Sequence, residues 1–269
     1  MNRGLYAAAS AMLVQETNLD VITHNLANVD TPGYKRRVSA NADFSAHLDR
    51  IEKVSEDSET KIFTYPPFEM DWRGRKTIGT LALASIFSED VMDTSPGVVK
   101  TTDNPLDMAI DGEGFFAVAD MEGNTYYTRA GNFMLSGTNN VVNSEGLLLQ
   151  GTGGQITIPA GARNIEVTRT GQIIVNGDVA GQVAVFNFEN PTYLRHHGGN
   201  LLTPTEQSGE AQNVANVRIF SGSYESSNVG VVEEMTRMIE AQRVYEGASK
   251  ALMTHDEQTT KLITSYSRG

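Results

Sequence analysis

The two ends of the chain share a seven-residue hydrophobic repeat, and its middle does not. Near the N-terminus the repeat runs through Leu5, Met12, Leu19 and Leu26, and Ile22 lies on a parallel series three residues later. Such spacing is typical of α-helices that pair along an apolar seam. A helix of about 29 residues is about 43 Å long, so its apolar stripe needs a long partner. That partner is the other terminus, a neighbouring copy of the chain, or both.

The C-terminal segment carries a second repeat of the same length. Val231, Met238, Tyr245 and Leu252 recur every seven residues. Ser or Asn in the 226–228 segment can cap this helix, and acidic residues follow in its first turn. We therefore expect a long helix that runs towards Thr264. The predicted assembly interface, which includes two residues of the flanking series, consists of Leu5, Met12, Leu19, Ile22, Leu26, Val231, Met235, Met238, Tyr245, Leu252 and Ile263.

The middle of the chain has the pattern of short strands joined by turns. Of the 25 glycines, 13 fall between Gly112 and Gly181, and they separate short runs of β-forming residues. The Asn176-Gly177 dipeptide is typical of a hairpin turn. The candidate strands are 115–118, 125–128, 146–149, 156–158, 165–167, 172–175 and 183–186. No helical pattern separates them, which favours a β-sandwich or a partly closed barrel over a parallel sheet.

These patterns predict an α+β protein in which a β-rich central domain is inserted between two long terminal helices that form a coiled-coil stalk. The terminal-helix domain comprises residues 1–35 and 226–269, an extended and variable arm covers 36–80, and the β-rich domain covers 81–225. The first helix should stop near Asp30 to Gly33, where Pro removes a donor. The apolar spacing from Ser39 to about Val54 also allows a short second helix.

Composition and charge exclude several classes of function. The net charge of −12 argues against nucleic-acid binding, and the one basic cluster, Lys35 to Arg37, is interpreted as a solvated turn. The absence of cysteine excludes disulfides and thiolate metal sites. No stretch approaches the roughly 20 apolar residues of a membrane span, so no transmembrane segment is expected. The N-terminus lacks a long apolar core, so we expect no cleaved signal peptide.

The sequence offers no convincing catalytic or metal site. The Asp111-Gly112-Glu113-Gly114 stretch fits neither a calcium loop nor a phosphate loop, and we interpret it as a turn between strands. His196 and His197 are adjacent on an extended segment, so their side chains point to opposite faces. No nucleophile motif is present. We therefore expect no enzyme activity, no metal and no cofactor.

Three segments resemble the signatures of bacterial flagellar rod and hook proteins. The stretch from Asn25 to Lys35 resembles the N-terminal signature, and residues 225–229 with 238–246 resemble the C-terminal one. Residues 111–116 and 127–133 are similar to the central motif. The matching signature residues are Asn25, Leu26, Ala27, Asn28, Thr31, Pro32, Gly33, Asn228, Gln242 and Arg243.

The resemblance implies a structural subunit of the flagellar basal-body rod, which polymerises into the hollow drive shaft that transmits torque from motor to hook. Its implied partners are itself, other rod subunits, the hook, the surrounding basal-body rings and the flagellar type III export apparatus. The implied location is the basal body across the periplasm, with export that needs no cleaved signal. Proximal-type and distal-type rod subunits stay open. The alternatives are a hook or hook-junction subunit and, from another class, a cell-surface glycan-binding or glycan-acting protein.

The Pro32-Gly33 stop is interpreted as an elbow that redirects the chain from the stalk towards the outer domain. Gly accepts a positive φ there, and a β-branched residue tolerates it poorly. The motif therefore predicts that Gly33→Val is damaging and that Gly33→Asn is milder.

Overall fold

A computed structural model describes residues 3–43, 85–162, 164–214 and 218–266 of the 269-residue chain. The chain divides into two compact units. Unit 1 comprises Met1–Thr23, Ser39–Asp90 and Met235–Gly269, and unit 2 comprises His24–Val38 and Val91–Glu234. An N-terminal helix, a β-rich central region and a C-terminal helix confirm the α+β class. The pairing of the two helices as a coiled coil is not confirmed.

The first helix, α1, spans Arg3–Ala27 and ends slightly before the predicted stop at Asp30. The side-chain amide of Asn28 donates to the carbonyl of His24 over 2.8 Å. In a continuing helix the backbone N–H of Asn28 itself would make this bond. The backbone N–H of Asn28 bonds instead to the carbonyl of Asn25 at 3.1 Å. The helix therefore tightens and closes at Asn28, ahead of Pro32.

The C-terminal helix, α2, spans Val231–Tyr266, close to the predicted bounds. The backbone N–H of Glu234 donates to the carbonyl of Gly230 over 2.9 Å, so Gly230 occupies the cap position. The predicted cap within residues 226–228 is therefore wrong. The Ser227 hydroxyl accepts from the N–H of Val229, and the side chain of Asn228 bonds elsewhere.

The described residues form nineteen strands and one short 3₁₀ helix, Pro191–Tyr193. The strands are β1 Arg37–Asp43, β2 Ser85–Met92, β3 Val99–Thr101, β4 Met108–Ile110, β5 Phe115–Ala119, β6 Thr125–Thr128, β7 Met134–Leu135, β8 Val141–Val142, β9 Leu148–Gly151, β10 Gly154–Gln155, β11 Ile165–Val167, β12 Gln172–Val175, β13 Asp178–Gln182, β14 Val185–Asn187, β15 Arg195–Gly198, β16 Leu201–Thr203, β17 Gln212–Asn213, β18 Ile219–Ser221 and β19 Ser223–Glu225.

The largest sheet has ten strands, with the path β15-β16-β6-β5-β9-β8-β7. Strand β10 extends from β9, and β14 joins β5 to β17. The small sheets are β11-β12-β13, β18-β4, β19-β3 and β1-β2. Each strand pair for which a register is resolved is antiparallel, in agreement with the prediction of hairpins without crossover helices.

Strand β5 is buried on both of its faces, so it belongs to the core of unit 2. Phe116 and Val118 belong to one hydrophobic cluster, which also contains Leu149 and Ile173. Phe115 and Ala117, which alternate with them, belong to a second cluster around Tyr127 and Phe188. The two-residue period of a strand sends successive side chains to opposite clusters, so the sheet is covered on both sides here.

The strand predictions are confirmed most clearly at β5, β6, β11 and β12. The Asn176-Gly177 turn joins β12 to β13 with φ values of 53° and 99°, as expected of this dipeptide. Residues 156–158 form no strand, although Ile156 and Ile158 are buried in the first cluster. The 146–149 and 183–186 predictions fall about two residues before β9 and β14.

The predicted helix from Ser39 to about Val54 is wrong at its start, because Ser39 to Asp43 belong to β1. The backbone pairing of β1 with β2 outweighs a helical spacing that rests on few apolar residues. The rest of that helix, from residue 44 onward, and most of the predicted 36–80 arm lie outside the described residues.

Candidate functional site: a buried ionic junction

The three signature segments meet inside unit 2, around the carboxylate of Glu225. Its Oε1 accepts from Lys35 Nζ at 2.7 Å, and its Oε2 accepts from Arg129 Nε at 2.6 Å. Lys35 comes from the N-terminal segment, Arg129 from the central segment and Glu225 from the C-terminal segment. All three residues are buried, with at most 6% of their surface exposed. We call this set the ionic junction.

The pKa values follow from burial and pairing. Burial by itself would raise the pKa of the Glu225 carboxyl, but Arg129, Lys35 and the hydrogen bonds outweigh it and hold that pKa below its ordinary value. Burial lowers the pKa of Lys35, and the attraction of Glu225 offsets only part of this effect. The Glu225 carboxyl therefore stays ionised at neutral pH. Breaking such a buried pair costs far more than breaking one at the surface.

Arg129 also fixes the Asp111 to Gly114 loop. Its guanidinium donates to the backbone carbonyls of Gly112 and Gly114 while Nε binds Glu225. The loop joins β4 to β5, so the prediction of a turn between strands is confirmed. The loop itself offers no ligand set: in the part of the chain that the structure describes, no group of three or more His, Asp or Glu residues could hold a metal ion.

Gly33 lies against the backbone of the central segment. Its φ is 66°, which confirms the predicted positive value, and its N–H donates to the carbonyl of Glu225 at 2.7 Å. A Cβ at this position would lie 2.2 Å from the backbone nitrogen of Ala130 and 2.5 Å from the carbonyl oxygen of Arg129. The close approach leaves no room for any side chain. The prediction that Gly33→Asn is milder is therefore wrong, because Asn meets the same backbone atoms.

The last turn of α1 is joined to the start of β1 by Asn25. Its side-chain amide donates to the carbonyl of Arg37 at 2.8 Å, and its Oδ1 accepts from the N–H of Arg37 at 2.9 Å. The hydroxyl of Tyr34 donates to the same Oδ1 at 3.0 Å, and His24 Nδ1 lies 3.0 Å from that hydroxyl. Burial is the largest cause that raises the pKa of Tyr34, to about 12. Asn25 and Tyr34 are almost fully buried.

Asn228 and Arg36 connect the same segment to the start of α2. Asn228 Oδ1 accepts from the backbone N–H of Arg36 at 2.7 Å, and its amide donates to the carbonyls of Asp93 and Ser95 at 3.0 and 3.1 Å. The guanidinium of Arg36 pairs with Asp93 at 3.1 Å and with Glu233 at 3.2 Å. These contacts tie three segments together: the residues around Arg36, residues 93–95 and the start of α2.

A cavity of about 540 Å³ lies beside the ionic junction. Its walls include Lys35, Arg129, Phe115, Asp111 and Glu113. The two cations are already engaged by Glu225 and by backbone carbonyls. The carboxylate of Glu225 accepts on both oxygens and is not available as a base. The arrangement is that of a structural joint.

The structure corrects the interpretation of Lys35 to Arg37 as a solvated turn. Lys35 is buried, and Arg36 and Arg37 are half-buried. No local pattern could reveal the partners, because Arg129 and Glu225 lie 94 and 190 residues beyond Lys35 along the chain. The available signal was that all three belong to the quoted signature segments. The side chains of His196 and His197 have different neighbours, as predicted: the ring of His196 lies beside that of Tyr34, and the ring of His197 lies beside that of Tyr126.

The structure places the other predicted residues on two helices and one turn. Of the N-terminal seam, Ile22 is buried, Met12, Leu19 and Leu26 are half-buried and Leu5 is exposed. Of the C-terminal seam, Met238, Tyr245 and Leu252 are half-buried, and Val231, Met235 and Ile263 are exposed. Among the signature residues, Asn25 and Gly33 are buried, Leu26, Asn28, Thr31, Pro32 and Asn228 are half-buried, and Ala27, Gln242 and Arg243 are exposed. Gly33 contacts the backbone of Glu225, and Asn25 and Asn228 hold the neighbouring residues 34–37, whereas Gln242 and Arg243 lie further along α2.

Three family models match the chain in order. Residues 5–35 match the flagella basal body rod protein model, 109–175 match the flagellar hook protein FlgE/F/G D1 domain, and 221–265 match the flagellar basal body rod FlgEFG protein C-terminal model. Each match includes one member of the ionic junction. The junction is therefore where the three matched regions meet.

Curated relatives cover the chain almost from end to end. The flagellar basal-body rod protein FlgG of Caulobacter vibrioides is 34% identical over 98% of this chain and 100% of its own length. The FlgG proteins of Agrobacterium fabrum and Bacillus subtilis are also 34% identical, over 96% and 98% of this chain and 97% and 98% of their own lengths. The chain belongs to the bacterial flagellar basal-body rod proteins, a family of structural rather than enzymatic proteins.

Proposed function

We propose that this rod subunit polymerises head to tail through its terminal helices into the hollow drive shaft that carries torque from motor to hook. The observation that carries the proposal is that apolar seam residues of both helices are exposed in a single chain, among them Leu5, Met235 and Ile263. An amphipathic helix gains its stability by covering such residues. A contact between unlike surfaces that does not close gives a filament.

The terminal helices, within residues 1–35 and 226–269, form the assembly domain of this proposal, and they pair as a coiled-coil stalk. The half-buried seam residues Leu19 and Leu252 then face a partner helix, and the exposed ones face neighbouring subunits. Residues 36–80 act as a variable arm, and 81–225 form the outer β-rich domain. The hook-subunit and glycan alternatives are not favoured, because the relatives that cover the chain are named as rod proteins.

The ionic junction suits a subunit that carries load. It ties the chain just after α1 to the central segment and to the start of α2 through a dense set of buried hydrogen bonds. Buried polar groups that are fully paired fix one geometry, since any displacement leaves a charge unpaired. The proposed elbow at Pro32-Gly33 is thus held by backbone contact as well as by charge.

The proposed partners are other rod subunits, the hook and the surrounding rings, within a basal body that spans the periplasm. Export without a cleaved signal, through the flagellar type III apparatus, is part of the same proposal. No helix in the described parts of the chain is long and apolar enough to cross a membrane.

Substitution in the seams tests the proposal. Leu19→Asp and Leu252→Asp each place a charge on a half-buried seam position, which costs several kcal/mol if the position is packed. Glu16→Ala, on an exposed position of α1, is the control. We expect cells with either Asp variant to lose swimming and to yield little rod in purified basal bodies, while control cells resemble the parent. Equal rod yield in all strains would contradict assembly through the seams.

A further inference from the structure

The β15–β16 hairpin contacts the elbow at Pro32-Gly33 at two points, both inside unit 2. The side-chain amide of Asn200, in the turn of the hairpin, donates to the carbonyl of Pro32. The ring of His196, in β15, stacks beside that of Tyr34 with the ring centroids 6.2 Å apart. The hairpin therefore holds the chain on both sides of Gly33.

Tyr34 has an imidazole from α1 beside it as well. The ring centroid of His24 lies 5.9 Å from that of Tyr34, and His24 Nδ1 lies 3.0 Å from the Tyr34 hydroxyl. Tyr34 itself is fully buried, and its hydroxyl donates to Asn25. One buried phenol ring thus connects an imidazole of the first helix to an imidazole of the β-rich region.

The charges around this cluster oppose protonation of both imidazoles. Burial is the largest cause that lowers the pKa of His196, and Arg37 and His24 lower it further, to about 4. Burial and Arg37 also lower the pKa of His24. A carboxylate from the start of α2, that of Glu234, acts on Tyr34, whose pKa it raises. Each proton that binds to one imidazole therefore adds to the positive charge that the other one meets.

The surroundings of His196 also suit only the neutral ring. Its Nε2 is buried and has no hydrogen-bond partner among the residues that the structure describes. A protonated imidazole carries an N–H donor on both nitrogens, so protonation would leave a buried donor without an acceptor. Protonation therefore favours an arrangement in which this nitrogen reaches water.

We propose that His24, Tyr34 and His196 form an acid-sensitive latch, which opens when the imidazoles bind protons and lets the elbow leave the β15–β16 hairpin. Asn200 adds a bond to the latch that does not titrate. Strand β5, in the core of unit 2, takes no part in these contacts, so the latch opens without unfolding of the sheet. The proposal concerns contacts within one chain and does not rest on the proposed polymerisation.

Opening of the latch changes backbone hydrogen bonds that can be measured. The N–H of Tyr34 donates to the carbonyl of Thr31 at 3.3 Å, and the N–H of Gly33 donates to that of Glu225 at 2.7 Å. Both bonds break when the elbow moves. The closed latch holds the pKa of His196 at about 4, and the released ring recovers its ordinary 6.5, so opening is favoured about twentyfold more at pH 5 than at pH 7.

Hydrogen exchange of the full chain at pH 7 and pH 5 tests the latch, after each rate is divided by the intrinsic exchange rate at that pH. We expect the protection of Gly33 and Tyr34 to fall about twentyfold, through an opening that low concentrations of urea do not promote. The amides of β5 should exchange more slowly at both pH values, through an opening that urea does promote. Equal protection and equal urea dependence of the elbow and β5 would overturn the latch, because the elbow would then open only when unit 2 unfolds.

Three substitutions separate the parts of the latch, and far-UV circular dichroism checks that each variant is folded. His196→Gln removes the titrating ring, so most of the fall in protection between pH 7 and pH 5 should disappear. Asn200→Ala should lower the protection of the elbow at both pH values and leave the fall in place. His197→Gln, at the adjacent residue whose ring lies beside Tyr126, is the matched control and should behave like the parent. A parent without the fall, or a His196 variant that keeps all of it, would contradict the proposal.

Discussion

Glu225 joins stretches of chain that are up to 190 residues apart in the sequence. Two cations and one anion share the buried site, so the removal of the anion leaves Lys35 and Arg129 without their charge partner. A buried ion pair adds little net stability compared with an apolar core, but the loss of one member is severe. The buried ion pairs therefore fix the arrangement of these three segments more than they raise the free energy of unfolding.

We expect Glu225→Gln to lower the free energy of unfolding of unit 2 by about 3–5 kcal/mol. The folded-state pKa of Glu225 lies below its ordinary 4.5, so its contribution is present above pH 4.5 and is lost as pH falls through the folded value. Chemical denaturation at several pH values measures the gap between parent and variant. The gap should be constant near pH 7 and should shrink in acid. A gap that grows in acid would contradict the assignment.

Gly33→Ala should be nearly as damaging as Gly33→Val, because the first added carbon already meets the backbone of Arg129 and Ala130. We expect a loss of about 2 kcal/mol or more in unfolding free energy. Gly177→Ala is the matched control, since Gly177 also has a positive φ but no atom stands within 4 Å of its Cβ position. Thermal unfolding of both variants separates the two effects. Equal losses would mean that the positive φ alone, and not the close approach of Arg129 and Ala130, explains the cost of substitution at Gly33.

At the scale of elements, the sequence predicted those parts whose pattern reflects local burial. Strand β5 reads as a run of apolar residues because both of its faces are covered, and both terminal helices carry a heptad repeat. Strand β3 escaped prediction because all three of its residues are exposed and the strand it pairs with, β19, is distant in the sequence. The burial of Lys35 escaped for the same reason, since its partners are distant in sequence.

Strand β15 is joined to the N-terminal signature segment through His196, whose ring stacks beside that of Tyr34 at 6.2 Å. Burial, then Arg37, then His24 lower the pKa of His196 to about 4. The folded state therefore binds fewer protons than the unfolded state between pH 6.5 and about 4. Stability from this residue is present above pH 6.5 and is lost as pH falls towards 4, by about 3 kcal/mol.

His196→Gln should remove this part of the acid dependence, whereas His197→Gln, the adjacent control on the opposite face, should leave it in place. The measurement is the unfolding midpoint of unit 2 at intervals between pH 7 and 4.5. If the His196 variant and the parent lose stability in parallel over this range, protonation of His196 is not a cause of the loss.

At the scale of the whole molecule, the boundary between the units does not coincide with the end of α1. Residues His24–Val38 belong to unit 2, where Asn25 holds Tyr34 and Arg37, although the first four of them are the last residues of α1. A sequence pattern cannot reveal this division, because the heptad repeat continues through Leu26. Two deletions that differ by six residues therefore have different expected results.

Deleting residues 1–23 should leave unit 2 folded, because every contact described above for residues 24–37 survives. Self-association should be lost, because the deletion removes most of the N-terminal seam. Deleting residues 1–29 removes His24, Asn25 and Asn28 as well, so Tyr34 loses its buried acceptor and the start of β1 loses two backbone contacts. Unpaired buried groups cost about 1–3 kcal/mol each, so the second chain should unfold at a clearly lower temperature. Near-UV circular dichroism of the tyrosines against temperature measures this difference. Identical melting of the two shortened chains would show that Asn25 does not support unit 2, and self-association that survives the shorter deletion would remove α1 from the assembly surface.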